Sequence, residues 1–90
     1  MPTIQELKDY LGIDGGHLDS LLADFLSTAQ DMVEKVLRYP IGKLNPLPGV
    51  VKESIKYTVG FLYANREQAD IASLERTLAQ LLSGHRKKEF

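Results

Sequence analysis

Side chains that could perform chemistry are few in this 90-residue sequence, and none of them forms a recognisable catalytic or metal-binding group. There is no cysteine, and the two histidines, His17 and His85, lie near predicted helix ends without metal-ligand spacing around them. Asp31 and Glu34 share a predicted solvent face, which is the ordinary use of such a pair. Gly15-Gly16 is not followed by a lysine at the spacing of a phosphate-binding loop. The sequence therefore predicts a protein that is not an enzyme and needs no cofactor or metal.

The distribution of basic residues does not favour sequence-specific DNA binding. A short first helix, a glycine turn and a long second helix could mimic a helix-turn-helix motif, but a recognition helix needs basic and amide side chains towards phosphates and bases. The predicted second helix is acidic instead. Its charged residues include Asp19, Asp24, Asp31, Glu34, Lys35 and Arg38. The basic cluster Arg86-Lys87-Lys88 could make about three phosphate contacts, which would give weak, salt-sensitive and non-specific binding.

Four helices and no strand are predicted, because apolar residues recur at helical spacing and period-two alternation is absent. The first helix covers residues 4–11, with a capping box formed by Thr3 and Glu6 before it and Gly12 ending it. The second helix runs from about His17 to Arg38, and its apolar residues fall within an arc of about 160°. Residues 39–49 contain three prolines and two glycines, so this segment is predicted to be a loop.

The central helix, predicted from Val50 to Glu67, is apolar around most of its circumference. Such a helix must be covered on more than one side, by the other helices, by another subunit or by both. Gly60 in its interior costs about 1 kcal/mol relative to alanine, and it either permits close approach of another helix backbone or is merely tolerated. Arg66, one turn after Leu62 on the apolar side, either holds the helix end or contacts another subunit.

A last helix is predicted to begin with Ser73 as its capping residue and to end at Gly84. Its apolar face consists of Leu74, Leu78, Leu81 and Leu82. The expected fold is all-α, a compact bundle of about four helices with a long second helix and a buried central third helix. We expect one helical domain over residues 1–84 and a flexible basic C-terminal tail over residues 85–90.

The net charge of −1 conceals an asymmetry along the chain. Residues 1–39 contain three basic and seven acidic side chains, a net charge of −4, whereas residues 40–90 contain eight basic and five acidic side chains, a net charge of +3. Two interpretations remain open. Either the halves form two differently solvated surfaces, or subunits meet head to tail with the acidic half of one against the basic half of the next. Heterologous contacts of the second kind close into rings, and the charges would set their register.

Several short motifs occur in an order that resembles the small head–tail connector proteins of long-tailed bacteriophages. They are the opening segment Thr3–Asp14, Leu21-Leu22 in the second helix, Tyr39 before a glycine-containing turn, Leu47-Pro48 before the central helix, and Tyr63-Ala64-Asn65-Arg66-Glu67 at its end. The most telling signature is the last motif, with Tyr63, Asn65, Arg66 and Glu67. The chain departs from the family's pattern at Gly15-Gly16-His17, where members often carry several acidic residues.

The resemblance implies a non-enzymatic structural protein that forms a ring of about a dozen subunits. The ring would dock under the portal protein, extend the DNA channel with only transient, non-specific contacts to passing double-stranded DNA, and offer a platform to a neck or tail completion protein. The expected location is the capsid–tail neck of the virion, and the host cytoplasm during assembly, with no membrane partner. The residues expected to contact the portal are those of the C-terminal segment, among them Arg86, Lys87, Lys88 and Phe90.

Two other classes of protein remain as alternatives. The first is a small helical regulatory or adaptor protein that forms a dimer and binds a partner helix. The second is an accessory protein of nucleic-acid packaging, which would bind DNA at physiological salt. Stoichiometry separates the connector from the regulator, because regulators are typically two-fold dimers whereas connectors form cyclic rings.

Overall fold

The computed structural model describes residues 2–41, 47–65, 67–68 and 70–83, and within these residues it contains four α-helices and no strand. The helices are α1 (Ile4–Leu11), α2 (Asp19–Leu37), α3 (Gly49–Ala64) and α4 (Ile71–Leu81). This confirms the predicted all-α fold with a long second helix and a central third helix. In the part of the chain so described, no helix is both long enough and apolar enough to cross a lipid bilayer.

The beginning and end of α1 follow the sequence prediction. The Oγ1 atom of Thr3 accepts a hydrogen bond from the Glu6 amide at 3.1 Å, and the Thr3 amide donates to Oε1 of Glu6 at 3.2 Å. Gly12 ends the helix with a φ of 71°, and its amide donates to the Lys8 carbonyl. Glycine suits this position because a side chain in the left-handed region is strained.

Both ends of α2 and the C-terminal end of α3 are shifted inward from the predicted boundaries, whereas α3 begins one residue early, at Gly49. Helix α2 begins at Asp19 instead of about His17 and ends at Leu37. Helix α3 ends at Ala64, three residues before the predicted end at Glu67. The cause lies in Asn65, whose backbone amide and side-chain Nδ2 both donate to the Phe61 carbonyl, at 3.0 and 2.9 Å. A short amide side chain that competes for backbone groups in this way favours the end of a helix.

The predicted cap of α4 is wrong. Asp70 is the capping residue, and Ser73 lies three positions further on, inside the helix. One carboxylate oxygen of Asp70 accepts from the Ser73 amide at 3.1 Å, and the other accepts from the Ser73 hydroxyl at 2.7 Å. Aspartate has two acceptor oxygens and a charge that suits a helix N-terminus, so the helix starts one turn earlier. At its other end α4 stops at Leu81, and Gly84 lies outside the described residues.

The core of the bundle is built around α3, which contacts each of the other three helices. Its inward side includes Val51, Ile55 and Val59, all fully buried. The other helices and the loop after α2 add further buried apolar side chains. These are Leu7, Leu22, Ala29, Val33, Leu37, Ile41, Leu74, Leu78 and Leu82. The prediction that several helices cover α3 is confirmed, but the outer side of α3, which contains Glu53 and Tyr57, remains exposed.

Gly60 lies where α1 packs closely against α3. A β-carbon built on Gly60 would lie 3.3 Å from Cε2 of Tyr10 and 3.5 Å from Cδ2 of Leu11. The close approach of another helix backbone, one of the two interpretations of this glycine, is not found among the described residues, because the nearest contacts are side chains of α1. Because the tighter contact is to a half-exposed tyrosine, the site has some freedom to adjust.

Candidate interaction surfaces

The acidic and histidine side chains of the described residues do not assemble into a chemical site. Among these residues no three histidine, aspartate or glutamate side chains are placed to hold a metal ion. His17 and Asp31 are exposed, whereas Glu34, which was predicted to share the solvent face of Asp31, is half-buried. Its Oε2 atom accepts a hydrogen bond from the Ile41 amide at 3.0 Å, so that it holds the chain where it leaves α2. Glu34 therefore has a structural role that the sequence did not reveal.

Three of the four predicted signature residues lie together at the turn between α3 and α4. Tyr63, Asn65 and Glu67, with Ala64 and Gln68, line an open cleft of about 390 Å³. Asn65 closes α3 through its two hydrogen bonds to Phe61, whereas Glu67 is exposed. The fourth signature residue, Arg66, lies outside the described residues. A structural role for Asn65 is thus evident, and the predicted roles of the other three as a recognition signature remain predictions.

The residues predicted to contact a portal protein cannot be placed on this fold. Arg86, Lys87, Lys88 and Phe90 lie outside the described residues, as does His85. Their role as a docking tail therefore remains a prediction from the resemblance.

A second concave surface lies on the outer side of α3, between α1 and α4, and we name it the α1–α3–α4 groove. It has a volume of about 240 Å³. Its walls and floor are formed by Tyr10 of α1, by Val50, Glu53, Ser54 and Tyr57 of α3, and by Leu81 of α4. Three of these residues are large apolar side chains left exposed to solvent, namely Tyr10 (50%), Tyr57 (37%) and Leu81 (45%). These exposed apolar side chains in one concavity make the groove a candidate contact surface.

Sequence reasoning located part of this groove and missed the rest. The central helix was expected to need cover on more than one side, and its outer side, with Val50 and Tyr57, contributes to the groove. Leu81 was instead assigned to the buried face of α4, which is wrong, because it is 45% exposed whereas Leu82 is fully buried. Adjacent helical residues point about 100° apart, so one of two neighbouring leucines can be buried while the other lies at the edge of the packed face. Helical periodicity does not show which of the two is buried, because that depends on where the neighbouring helices pack.

The floor of the groove contains a polar group without a partner. Ser54 is 1% exposed, and its Oγ atom has no hydrogen-bond partner in the part of the chain that the structure describes. Thr58, one turn later, is also fully buried, but its hydroxyl has a partner, because Oγ1 donates to the Ser54 carbonyl at 2.8 Å. A buried hydroxyl without a partner is unfavourable, so Ser54 is a position at which an additional contact would be stabilising.

Ion pairs hold α1 in place beside the groove. Nζ of Lys52 on α3 lies 2.6 Å from Oε2 of Glu6, and Nζ of Lys8 lies 3.1 Å from Oδ1 of Asp19 at the start of α2. The hydrogen bond from Lys52, followed by that from the Thr3 amide, holds the pKa of Glu6 below its ordinary value of 4.5. Glu6 thus uses one oxygen to cap α1 and the other to join α1 to α3. Partly exposed ion pairs add little stability. These two pairs join α1 to α3 and to the start of α2.

These features together define a small helical protein with two concave surfaces among its described residues. Residues 1–84 match the family described as phage gp6-like head-tail connector protein. The chain therefore belongs to this family, and the resemblance carried by the sequence motifs is confirmed. No curated protein and no solved structure matches the chain. Membership gives the protein a structural role, as a connector between the head and the tail of a phage.

Proposed function

We propose that this protein assembles with copies of itself into a ring of about a dozen subunits that docks under the portal protein. The ring extends the DNA channel of the head and offers a platform to the next neck or tail protein. In this proposal the protein is a component of the capsid–tail neck of the virion and is present in the host cytoplasm during assembly. The family match over residues 1–84 supports the connector role.

The observation that most favours self-assembly is the incomplete cover of α3. Three helices surround α3, yet Tyr57 on its outer side remains exposed beside Tyr10 and Leu81. A domain of 90 residues has a modest stability margin, so an apolar groove of this kind is better explained by a binding role than by folding. A ring of identical subunits would cover this groove on each copy.

The charge of the protein supports a channel that lets DNA pass. A net charge of −1 provides no strong attraction for phosphates, so contacts with passing DNA would be transient and non-specific. Asp24 and Asp31 on α2 are exposed and would repel the DNA backbone if they faced the channel. Weak binding to double-stranded DNA that disappears near physiological salt is the expected result of a filter-binding titration; tight binding would contradict a passive channel wall.

The stoichiometry of the purified protein tests the proposal directly. Native mass spectrometry at low and high protein concentration, with and without purified portal, should give a closed species near a dozen subunits. A dimer that persists at all concentrations and with portal would contradict the ring and favour the dimeric regulatory or adaptor protein. A monomer that remains monomeric in the presence of portal would also contradict the proposal.

The C-terminal tail is proposed to contact the portal. Deletion of residues 85–90 should abolish co-sedimentation with portal and leave the circular dichroism spectrum of the helices unchanged. A matched variant with Arg86, Lys87 and Lys88 replaced by glutamine separates charge from apolar contact through Phe90. Docking that survives the deletion would refute this role of the tail.

A further inference from the structure

The lining of the α1–α3–α4 groove has a chemistry that suits a basic and aromatic segment. Among the described residues, Glu53 is the one charged side chain that lines the groove, so the lining is acidic. The exposed rings of Tyr10 and Tyr57 offer their faces to a cation or to another aromatic ring. The volume of about 240 Å³ lies below the roughly 300 Å³ at which small-molecule sites begin. The groove is therefore sized for one or two side chains of a peptide segment.

Glu53 can accept an incoming cation in addition to its partner within α3. Its Oε1 atom lies 3.5 Å from Nζ of Lys56, and the Glu53 side chain is 66% exposed. An exposed pair of this kind is weak, and a carboxylate can accept several hydrogen bonds. Lys52 does not compete for Glu53, because its ammonium group lies 2.6 Å from Oε2 of Glu6. A basic side chain can thus approach Glu53 from the solvent.

The chain leaves the described bundle at the edge of this groove. Leu81 lines the groove, and the exposed Ser83, two residues further on, is the last residue that the structure describes. The C-terminal tail of residues 85–90 contains three basic side chains and one acidic side chain, a net charge of +2, together with Phe90. Phe90 follows Ser83 by seven residues, which span up to about 24 Å when extended. The groove follows α3 from Val50 to Tyr57, about 10 Å along a helix, so the tail can reach all of it.

We propose that the C-terminal tail occupies the α1–α3–α4 groove of its own chain in the free protein. Phe90 packs against Tyr10 and Tyr57, and the basic side chains of the tail lie beside Glu53. Attachment through a short linker presents the tail to the groove at an effective concentration of about a millimolar, which favours it over a segment of another molecule. The contact goes beyond the proposed function, because it belongs to the free protein. If the tail docks on the portal, as that function proposes, it has to leave the groove, which is then open to a neighbouring subunit.

Fluorescence tests this contact, since the chain has no tryptophan. Phe90→Trp places a single indole in the tail. Without portal, its emission should lie at shorter wavelength, and its quenching by acrylamide should be severalfold weaker, than in a synthetic peptide of residues 84–90 with the same substitution. An indole as accessible as in the peptide overturns the inference.

A second substitution shows whether the groove is what protects the indole. Adding Leu81→Lys removes an apolar wall of the groove and introduces a charge that repels the tail, so both readings should return to those of the peptide. Ile71→Lys is the matched control, because Ile71 is 40% exposed, close to the 45% of Leu81, and does not line the groove. It should leave the indole protected. Equal effects of the two substitutions, with the helical circular dichroism spectrum retained, overturn the assignment to the groove.

Dilution separates a tail bound to its own chain from a tail bound to a second copy. Protection of the indole should be independent of protein concentration, and protection that disappears on dilution overturns binding within one chain. Nuclear magnetic resonance gives a readout without a change in the groove. At a concentration where native mass spectrometry finds monomer, deletion of residues 85–90 should shift the amide resonances of Glu53 and Tyr57 and leave those of Tyr63 and Asn65 in place. Unshifted groove resonances overturn this inference while the proposed function stands, whereas absence of a ring with portal overturns the proposed function alone.

Discussion

Replacement of the unpartnered serine in the groove should make the protein more stable. In Ser54→Ala, the change removes a hydroxyl that is 1% exposed and without a hydrogen-bond partner among the described residues. A buried polar group left without a partner costs about 1–3 kcal/mol, and alanine is about 0.5 kcal/mol better than serine inside a helix. Allowing for the small space that the oxygen leaves, we expect the free energy of unfolding to rise by about 1–2 kcal/mol. Each kcal/mol raises the Tm of a domain of this size by about 4–8 °C.

Thr58→Val is the matched control for this substitution. It also removes a buried hydroxyl from α3, but one that donates to the Ser54 carbonyl at 2.8 Å. The lost hydrogen bond and the gained apolar group nearly cancel, so the free energy of unfolding should change by less than about 1 kcal/mol. Thermal and urea unfolding, followed by circular dichroism at a concentration where native mass spectrometry finds monomer, would give both values.

The reasoning about Ser54 is refuted if Ser54→Ala leaves the free energy of unfolding unchanged or lowers it. Such a result would mean that the serine hydroxyl has a stabilising partner in the folded monomer. The groove would then lack the unsatisfied group that we assign to its floor.

Further predictions concern the ion pair, the interior glycine and the core. Because its pKa is lowered in the folded protein, Glu6 stabilises above its ordinary value of 4.5 and this contribution is lost as pH falls through the lowered value. The stability difference from Glu6→Gln in urea titrations should therefore shrink on acidification; a pH-independent difference would contradict the ion pair. Gly60→Ala should stabilise by up to about 1 kcal/mol, since the half-exposed Tyr10 can move; a loss of stability would show that it cannot. Leu78→Ala should cost about 2–5 kcal/mol, whereas Leu81→Ala, on the exposed groove wall, should cost less than about 1 kcal/mol. Equal costs would contradict the assigned burial of the two leucines.

The ends of the helices show where local sequence was sufficient and where it was not. The capping box of Thr3 and Glu6 and the terminal Gly12 were predictable because each uses groups within one turn of the chain. The start of α4 was mispredicted because both Asp70 and Ser73 are good capping residues. In the structure Asp70 is the capping residue, because its two carboxylate oxygens accept hydrogen bonds from the amide and the hydroxyl of Ser73.

Of the two concave surfaces, one could be located from the sequence, and the other depends on how the helices pack. The signature residues Tyr63, Asn65 and Glu67 lie within five consecutive positions, so the sequence identifies them, and in the structure they line one cleft. The α1–α3–α4 groove, by contrast, combines Tyr10, Tyr57 and Leu81 from three helices that are far apart in sequence. Helical periodicity predicts which face of each helix is apolar, but not which part of that face its neighbours leave open.

By itself, the sequence of this protein determined the all-α class, the number of helices, the apolar character of the central one and membership of the connector family. These follow from periodicity, capping residues and motif order, all of which are local or linear properties of the chain. Only the tertiary structure decided that Leu82 and not Leu81 is buried, and that the Ser54 hydroxyl is buried without a hydrogen-bond partner among the described residues. The physical reason is that burial and hydrogen-bond satisfaction depend on the distances between helices, and those are fixed only when the helices pack together.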